Sequence, residues 1–380
     1  MTPYRSPWMD EELTLYRDAV ARFVAAEMLP HDEKWRKAKS VGHDIWRQVG
    51  AQGFLLADVP AEYGGAGGDF RHEAIFHEEL NRCGISGFGL GVHAICAHYV
   101  LNHGSEAQKQ RWLPRMARGE LVGAIAMTEP GAGSDLKGVR TRATLDGEHY
   151  VINGSKIFIT NGALAEILML VVRTDPTATR GGLSILMVET RDLPGYRVGR
   201  VLDKMGLHAN DTAELFFENV RVHRDCLLGQ EGQGMHQLMA DLPYERLIIA
   251  VAGVAAMEGG LDATIAYVNE RKAFGQVIGA MQTVRHKLAE LATVTRIARV
   301  FADDCIVRQT QGTLDTTTAS MAKYWISDRQ QEVLDDCVGL HGGYGYMTEY
   351  LVCRLFADSR VQRIYGGTNE IMREVISRSL

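Results

Sequence analysis

A chain of 380 residues, 46% hydrophobic and 23% charged, is long enough for two or three packed units and excludes a largely disordered protein. Its net charge of −6 provides no electrostatic footprint for nucleic acid or an anionic membrane, so a small soluble ligand is the expected partner. Six cysteines, Cys83, Cys96, Cys226, Cys305, Cys337 and Cys353, lie without a C-x-x-C pair or metal-ligand spacing; they read as reduced core residues, and no metal site is expected.

The N-terminal MTPYRSPWMDEE lacks the apolar stretch of a signal peptide. No uncharged run reaches the roughly 18 residues of a membrane span, so a cytoplasmic protein without a membrane span is expected. Arg378-Ser379-Leu380 is a poor match to a peroxisomal S-K-L signal and carries little weight.

From Glu11, the apolar residues Leu13, Tyr16, Val20, Phe23 and Val24 recur at helical spacing until Pro30, which is expected to stop the helix. Similar periods at 43–52, 72–82 and 89–102 predict further helices. Ser105-Glu106-Ala107-Gln108 has the form of a capping box and opens another. Between them, AEYGGAGGD at 61–69 reads as a mobile loop.

Near Leu121 the pattern changes. Thr141–Leu145, Tyr150–Ile152 and Lys156–Thr160 are short and rich in β-formers, and are separated by the hairpin signals Asp146-Gly147 and Asn153-Gly154. Ile167–Arg173, Leu183–Val188 and Ala213–Val222 continue the series. A small barrel or sandwich is expected. After Gly229-Gln230-Glu231-Gly232 the helical period returns, with helices expected around Glu245 and over 280–311, 316–340 and 368–378. The fold class is therefore α+β: an N-terminal helical domain over 1–121, a middle β-domain over 122–232 and a C-terminal four-helix bundle over 233–380.

Two segments have chemical potential. In DLPYERLIIAVAGVAAM (241–257), Glu245 and Arg246 precede eleven apolar or glycine residues. On a helix, Glu245 shares an uncharged face with Ile249, Ala252 and Gly253. Such a carboxylate must pair with Arg246, reach solvent past the helix end, or border a cavity where burial raises its pKa, as a general base requires. The second segment, IAMTEPGAGSD (125–135), combines close-approach glycines with the hydroxyls of Thr128 and Ser134, which would suit a phosphate or a flavin edge. It fits neither a Rossmann fingerprint nor a P-loop.

In chain order, TEPGAGSD (128–135), INGSKIFITNG (152–162), ERKAFG (270–275), LHGGYGY (340–346) and YGGTNEIM (365–372) together resemble the acyl-CoA dehydrogenase family across nearly the whole chain. LPYERL (242–247) with IYGGTNEIM (364–372) looks most like its long-chain branch. The resemblance implies FAD, an acyl-CoA substrate, an electron-transfer flavoprotein as electron acceptor and a homotetramer.

It also implies roles for individual residues. Most members carry the catalytic base in a C-terminal Y-E-G-T pattern, where this chain has Gly366. The long-chain and isovaleryl branches place the base on the bundle helix, at the position of Glu245. Ser134, His236, Pro243, Tyr244, Arg246, Gly366 and Gly367 would line the acyl-CoA, with the Gly366 N–H as a donor to the thioester carbonyl. Ile125, Met127, Thr128, Ser134, Phe158, Ile159 and Thr160 would border the flavin, Phe158 standing where many members have tryptophan. Arg271, Phe274 and Gln282 would reach a neighbouring subunit's FAD. Gly339, Leu340, His341, Gly342 and Gly343 match an FAD-binding stretch that typically begins with glutamine, and Thr368, Asn369 and Glu370 a flavin-binding run. Thr368 and its neighbours could equally cap the last helix. Two other functions fit the same residues: a branched- or shorter-chain dehydrogenase, and a non-catalytic acyl-CoA- or flavin-binding subunit suggested by Gly339 and Gly366.

Overall fold

The computed structural model describes residues 4–175, 177 and 182–380. Its N-terminal part contains α1 (Glu11–Phe23), α2 (Asp32–Ala38), α3 (His43–Ala51), α4 (Phe70–Arg82), α5 (Leu90–His103) and α6 (Glu106–Ala117). The Ser105 side chain accepts from the Gln108 N–H while the Gln108 side chain reaches back to the Ser105 N–H. The expected capping box is thus formed. The first helix is carried on by a π turn, Val24–Met28, and stops just before Pro30, as expected. Pro30 itself lies in a 3₁₀ turn, Leu29–His31, that leads directly into α2, where proline's missing N–H costs nothing.

The 61–69 segment is also tighter than expected. The N–H groups of Gly64, Gly65, Gly67 and Gly68 donate to the carbonyls of Ala61, Pro60, Val59 and Ala57. At Gly65 a β-carbon would lie 2.1 Å from the Val59 carbonyl oxygen. The glycines serve close packing there.

The middle part holds β1 (Gly123–Ala126), β2 (Arg142–Asp146), β3 (His149–Thr160), β4 (Ile167–Arg173), β5 (Leu183–Glu189), β6 (Tyr196–Val201) and β7 (Thr212–His223). Among the described residues they form one seven-stranded curled sheet, β1-β4-β2-β3-β7-β6, with β5 also paired to β4. The Asp146-Gly147 hairpin is present, Asp146 facing His149. Asn153-Gly154 is not a hairpin. Gly154 marks a bulge within the continuous β3, where the β3·β7 register shifts between Ile152 and Gly154, so the small residue bends a strand instead of ending it.

Strands β4 and β5 are buried on both faces. Leu168, Leu170 and Val172 belong to the sheet's own core, whereas Ile167, Met169 and Val171 join the helical core.

The last part contains α7 (Gly234–Glu270), the two-stranded β8 (Lys272–Ala273) and β9 (Gln276–Val277), α8 (Gln282–Thr310), α9 (Thr316–His341), α10 (Leu351–Ser359) and α11 (Asn369–Ser377). By length and apolarity α7 could cross a membrane, but 72% of its most apolar window is buried in the protein. It packs chiefly against α9, α4 and α8, with α5 beside its first turns. All of Leu247–Met257 is buried, so the helix is apolar all round and central to the fold.

Candidate active site

Glu245 lies in the fourth turn of α7, partly buried. Across from it on α5, the fully buried Tyr99 donates its hydroxyl to Oε1 of Glu245 at 2.8 Å. Burial is the main influence on the carboxyl; the Tyr99 bond opposes it, Asp241 one turn earlier adds to it and Arg246 opposes it. The net result pushes the Glu245 pKa up to about 7. Arg246 does not form an ion pair with Glu245. Its Nη1 donates to Ser320 Oγ on α9 at 2.8 Å, while its buried Nε has no partner among the described residues. Of the three alternatives for Glu245, the geometry selects a desolvated carboxylate of raised basicity.

The C-terminal loop closes against the same face. A β-carbon at Gly366 would lie 2.5 Å from Cδ1 of Ile249, the residue one turn beyond Glu245, and Gly366 and Gly367 have φ of +63° and +86°. Among the described residues neither glycine's N–H has an acceptor. Behind the loop, the fully buried Lys323 of α9 donates to the Gly367 carbonyl at 2.6 Å and to Asn369 Oδ1 at 2.9 Å. Burial and Arg246 together push its ammonium down to about 7, against the pull of Asp328 and Glu370. The Asn369 amide also binds Tyr324, Ser327 and Asp328, and Thr368 caps α11. These two side chains therefore hold the loop in shape. Glu370 is exposed.

On the middle domain, the buried Lys156 Nζ donates to the Met127 carbonyl at 3.0 Å and to Glu129 Oε1 at 2.8 Å, and Glu129 also accepts from the N–H groups of Arg140 and Thr141. This knot fixes the start of the 125–135 loop against β3, as does the Ile157 N–H on the Thr128 carbonyl. Phe158 then bulges out at φ +61°, 64% exposed. A bulky aromatic in the left-handed region is strained, and such strain concentrates at functional positions.

The residues present fit a flavin dinucleotide. Among the described residues the hydroxyls of Thr128, Ser134 and Thr160 have no hydrogen-bond partner, and added β-carbons at Gly131, Gly133, Gly339, Gly342 and Gly343 would meet open space. Ile125 and Met127 are partly buried. Ile159 is in the sheet core and would offer only backbone.

On the monomer's outer surface, Phe274 is 95% exposed at φ +52° between β8 and β9. The Arg271 guanidinium stacks 5.6 Å from the Tyr344 ring, and Gln282 is exposed at the start of α8. His341 is buried, stacked on Tyr267 with Nδ1 at 2.8 Å from the Cys337 carbonyl. Leu340 packs on the helical core.

Tyr244 turns away from Glu245. Its hydroxyl donates to Asp58 at 3.2 Å and its ring stacks on His98 at 4.1 Å. His98, which burial alone would lower, is pushed up to about 9 by Asp58. His236 is exposed at the start of α7 and Pro243 is partly buried within it. Tyr99, Asp241, Lys156 and Lys323 were not singled out from sequence. An i, i+4 pair of carboxylates, Asp241 and Glu245, flanking the apolar run could have drawn attention to the first turns of α7. A lone tyrosine or lysine in a helix or strand carries no comparable signal.

The family models for the N-terminal, middle and C-terminal domains of acyl-CoA dehydrogenase match residues 10–120, 124–220 and 232–380. The mitochondrial long-chain specific acyl-CoA dehydrogenase of Sus scrofa is 46% identical over 372 residues, 97% of this chain and 86% of the relative. The crystal structure of an acyl-CoA dehydrogenase from Geobacillus kaustophilus is 43% identical and superposes with a TM-score of 0.96 over 99% of both chains. A glutaryl-CoA dehydrogenase from Mycobacterium smegmatis in complex with FADH2 is 28% identical, with a TM-score of 0.90 over 98% of this chain and 95% of the other.

Proposed function

This chain belongs to the acyl-CoA dehydrogenase family, and from that premise we propose that it converts long-chain acyl-CoA to trans-2-enoyl-CoA, with Glu245 as the base. It is an FAD-dependent oxidoreductase. The observation that carries the proposal is a Glu245 carboxyl pushed up to about 7 on an apolar helix face, next to a loop whose Gly366 N–H has no acceptor among the described residues.

The α-proton of a thioester is weakly acidic, so the site must both accept it and stabilise the charge it leaves behind. Glu245, with a pKa near working pH, is suited to accept it. The Gly366 N–H is available to the thioester oxygen, where negative charge develops. Lys323 and Asn369 keep that loop in register. The Nε of Arg246, without a partner among the described residues, suits a polar group of the substrate. FAD, when bound, supplies the acceptor for the β-hydride.

Long-chain preference is supported by the identity to the Sus scrofa enzyme. Electrons pass onward to an electron-transfer flavoprotein. In a homotetramer, the exposed Phe274, Arg271 and Gln282 would help hold the FAD of a neighbouring subunit. The test is kcat/KM over a series of acyl-CoAs with an electron-transfer flavoprotein as acceptor. A maximum at palmitoyl-CoA or longer is expected. A maximum at butyryl- or isovaleryl-CoA overturns the long-chain reading, and a flavin-loaded protein inert to every acyl-CoA overturns catalysis.

A further inference from the structure

We propose that Tyr99 is a positioning residue for the base: its hydroxyl holds the Glu245 carboxylate in one orientation and leaves one defined oxygen to receive the proton. The proposal rests on the reading of Glu245 as base and specifies how the fold prepares it.

Tyr99 is fully buried on α5. Its hydroxyl lies 2.8 Å from Glu245 Oε1 and 3.5 Å from the Leu238 carbonyl oxygen. Among the described residues it provides the only hydrogen bond to the Glu245 carboxylate. Oε1 is therefore engaged and Oε2 retains its lone pairs, so the two oxygens differ in role: one orients, the other accepts.

The other charged groups around Glu245 do not duplicate this. Asp241, on α7 itself, is held by Asn102 at 2.6 Å and His103 at 2.7 Å, both on α5, and its charge makes Glu245 harder to ionise. Arg246 favours the anion but directs its guanidinium to Ser320 on α9. Lys323, also on α9, is bound to the Gly367 carbonyl and Asn369. From the C-terminal loop, Gly366 presents no titratable side chain.

A buried carboxylate with a single donor depends strongly on that donor, because nothing else replaces the water it has lost. The phenol cannot take part as an acid at neutral pH, since burial and Glu245 push its own pKa well above the ordinary value. It acts as a permanent donor. The same bond spans α5 and α7, fixing the carboxylate against a second helix instead of leaving it to its own rotamers.

The experiment compares pH profiles of kcat/KM for the FAD-loaded wild type, Tyr99→Phe and Glu245→Gln. An infrared titration of the Glu245 carboxyl without substrate runs in parallel, the band being assigned by its loss in Glu245→Gln. In Tyr99→Phe the acidic limb and the infrared midpoint should both rise by roughly one pH unit, because the hydrogen bond to the ionised form is gone. A fluorinated tyrosine at position 99, a stronger donor, should move both downward and keeps the test valid if the phenylalanine variant folds poorly. If Glu245→Gln is inactive while neither substitution at 99 moves the limb or the midpoint, the role of Tyr99 is overturned and the base stands. If Glu245→Gln turns over like the wild type, the base reading fails and the proposal falls with it.

Discussion

Gly366 and Ile249 compete for one volume: a β-carbon on the glycine would lie 2.5 Å from Cδ1 of the isoleucine. The loop thus passes α7 one turn beyond Glu245, where a side chain would have to displace the tip of Ile249 and would be strained by the φ of +63° at Gly366. In the commoner family pattern a glutamate occupies this loop position. Here the loop contributes backbone only, and the carboxylate proposed as base, Glu245, is on the helix.

It follows that a base cannot simply be returned to the loop. Gly366→Glu should destabilise the protein by about 1–3 kcal/mol, chiefly through left-handed backbone strain, which thermal unfolding will measure. Combined with Glu245→Gln, it should leave turnover lost. Recovery of activity in the double variant would show that the loop can accept a carboxylate after all.

The Glu245 carboxyl should cost stability. Its native pKa of about 7 lies above the ordinary carboxyl value of 4.5, so between those pH values the native state binds more protons than the unfolded state. Stability from this group therefore falls as pH rises through that window and stays low above it. Glu245→Gln should be more stable than the wild type at pH 8 by about 1–2 kcal/mol, reduced from the full linkage value because the site is partly exposed. The advantage should vanish near pH 4, as denaturant unfolding at the two pH values will reveal.

Lys323 offers a test of the loop's support. Lys323→Met removes the donor to the Gly367 carbonyl and Asn369 while filling a similar volume. A fall in kcat of roughly 10- to 100-fold is expected from a displaced loop donor, with the circular dichroism spectrum retained. Unchanged kcat would show that Asn369 alone keeps the loop in place.

The Lys156–Glu129 pair makes a parallel prediction for the cofactor. Lys156→Met leaves a buried carboxylate with only backbone donors and should cost about 3–5 kcal/mol, along with a lower flavin content per chain. Adding Glu129→Gln should recover much of the stability, since removing both charges of a buried pair is far milder than removing one. Flavin absorbance against protein concentration, with thermal unfolding, tests both parts.

Local signals carried the element boundaries well. The capping box at Ser105, the run at 167–173 and the Asp146-Gly147 turn all have causes within a few residues. Asn153-Gly154 failed because the same dipeptide that turns a hairpin can occupy a bulge, and only the pairing with β7 distinguishes them. Strand β6, half-exposed and lacking an apolar run, left no periodic trace. Neither did α10.

For the site, Glu245 was legible because a carboxylate before eleven apolar residues conflicts with its surroundings. Which partner it takes was not, because α7 is buried on every side and its sequence marks no preferred face. Tyr99 lies 146 positions away, and Lys323 and Lys156 look like surface lysines until the fold encloses them.

The central claim is that Glu245 removes the substrate's α-proton. The most direct measurement is the anaerobic visible spectrum of the FAD-loaded protein mixed rapidly with palmitoyl-CoA, for wild type and Glu245→Gln. The account predicts loss of the oxidised-flavin band with enoyl-CoA recovered in the wild type, and a band that persists in Glu245→Gln although palmitoyl-CoA still binds. Bleaching of the variant at the wild-type rate would contradict it.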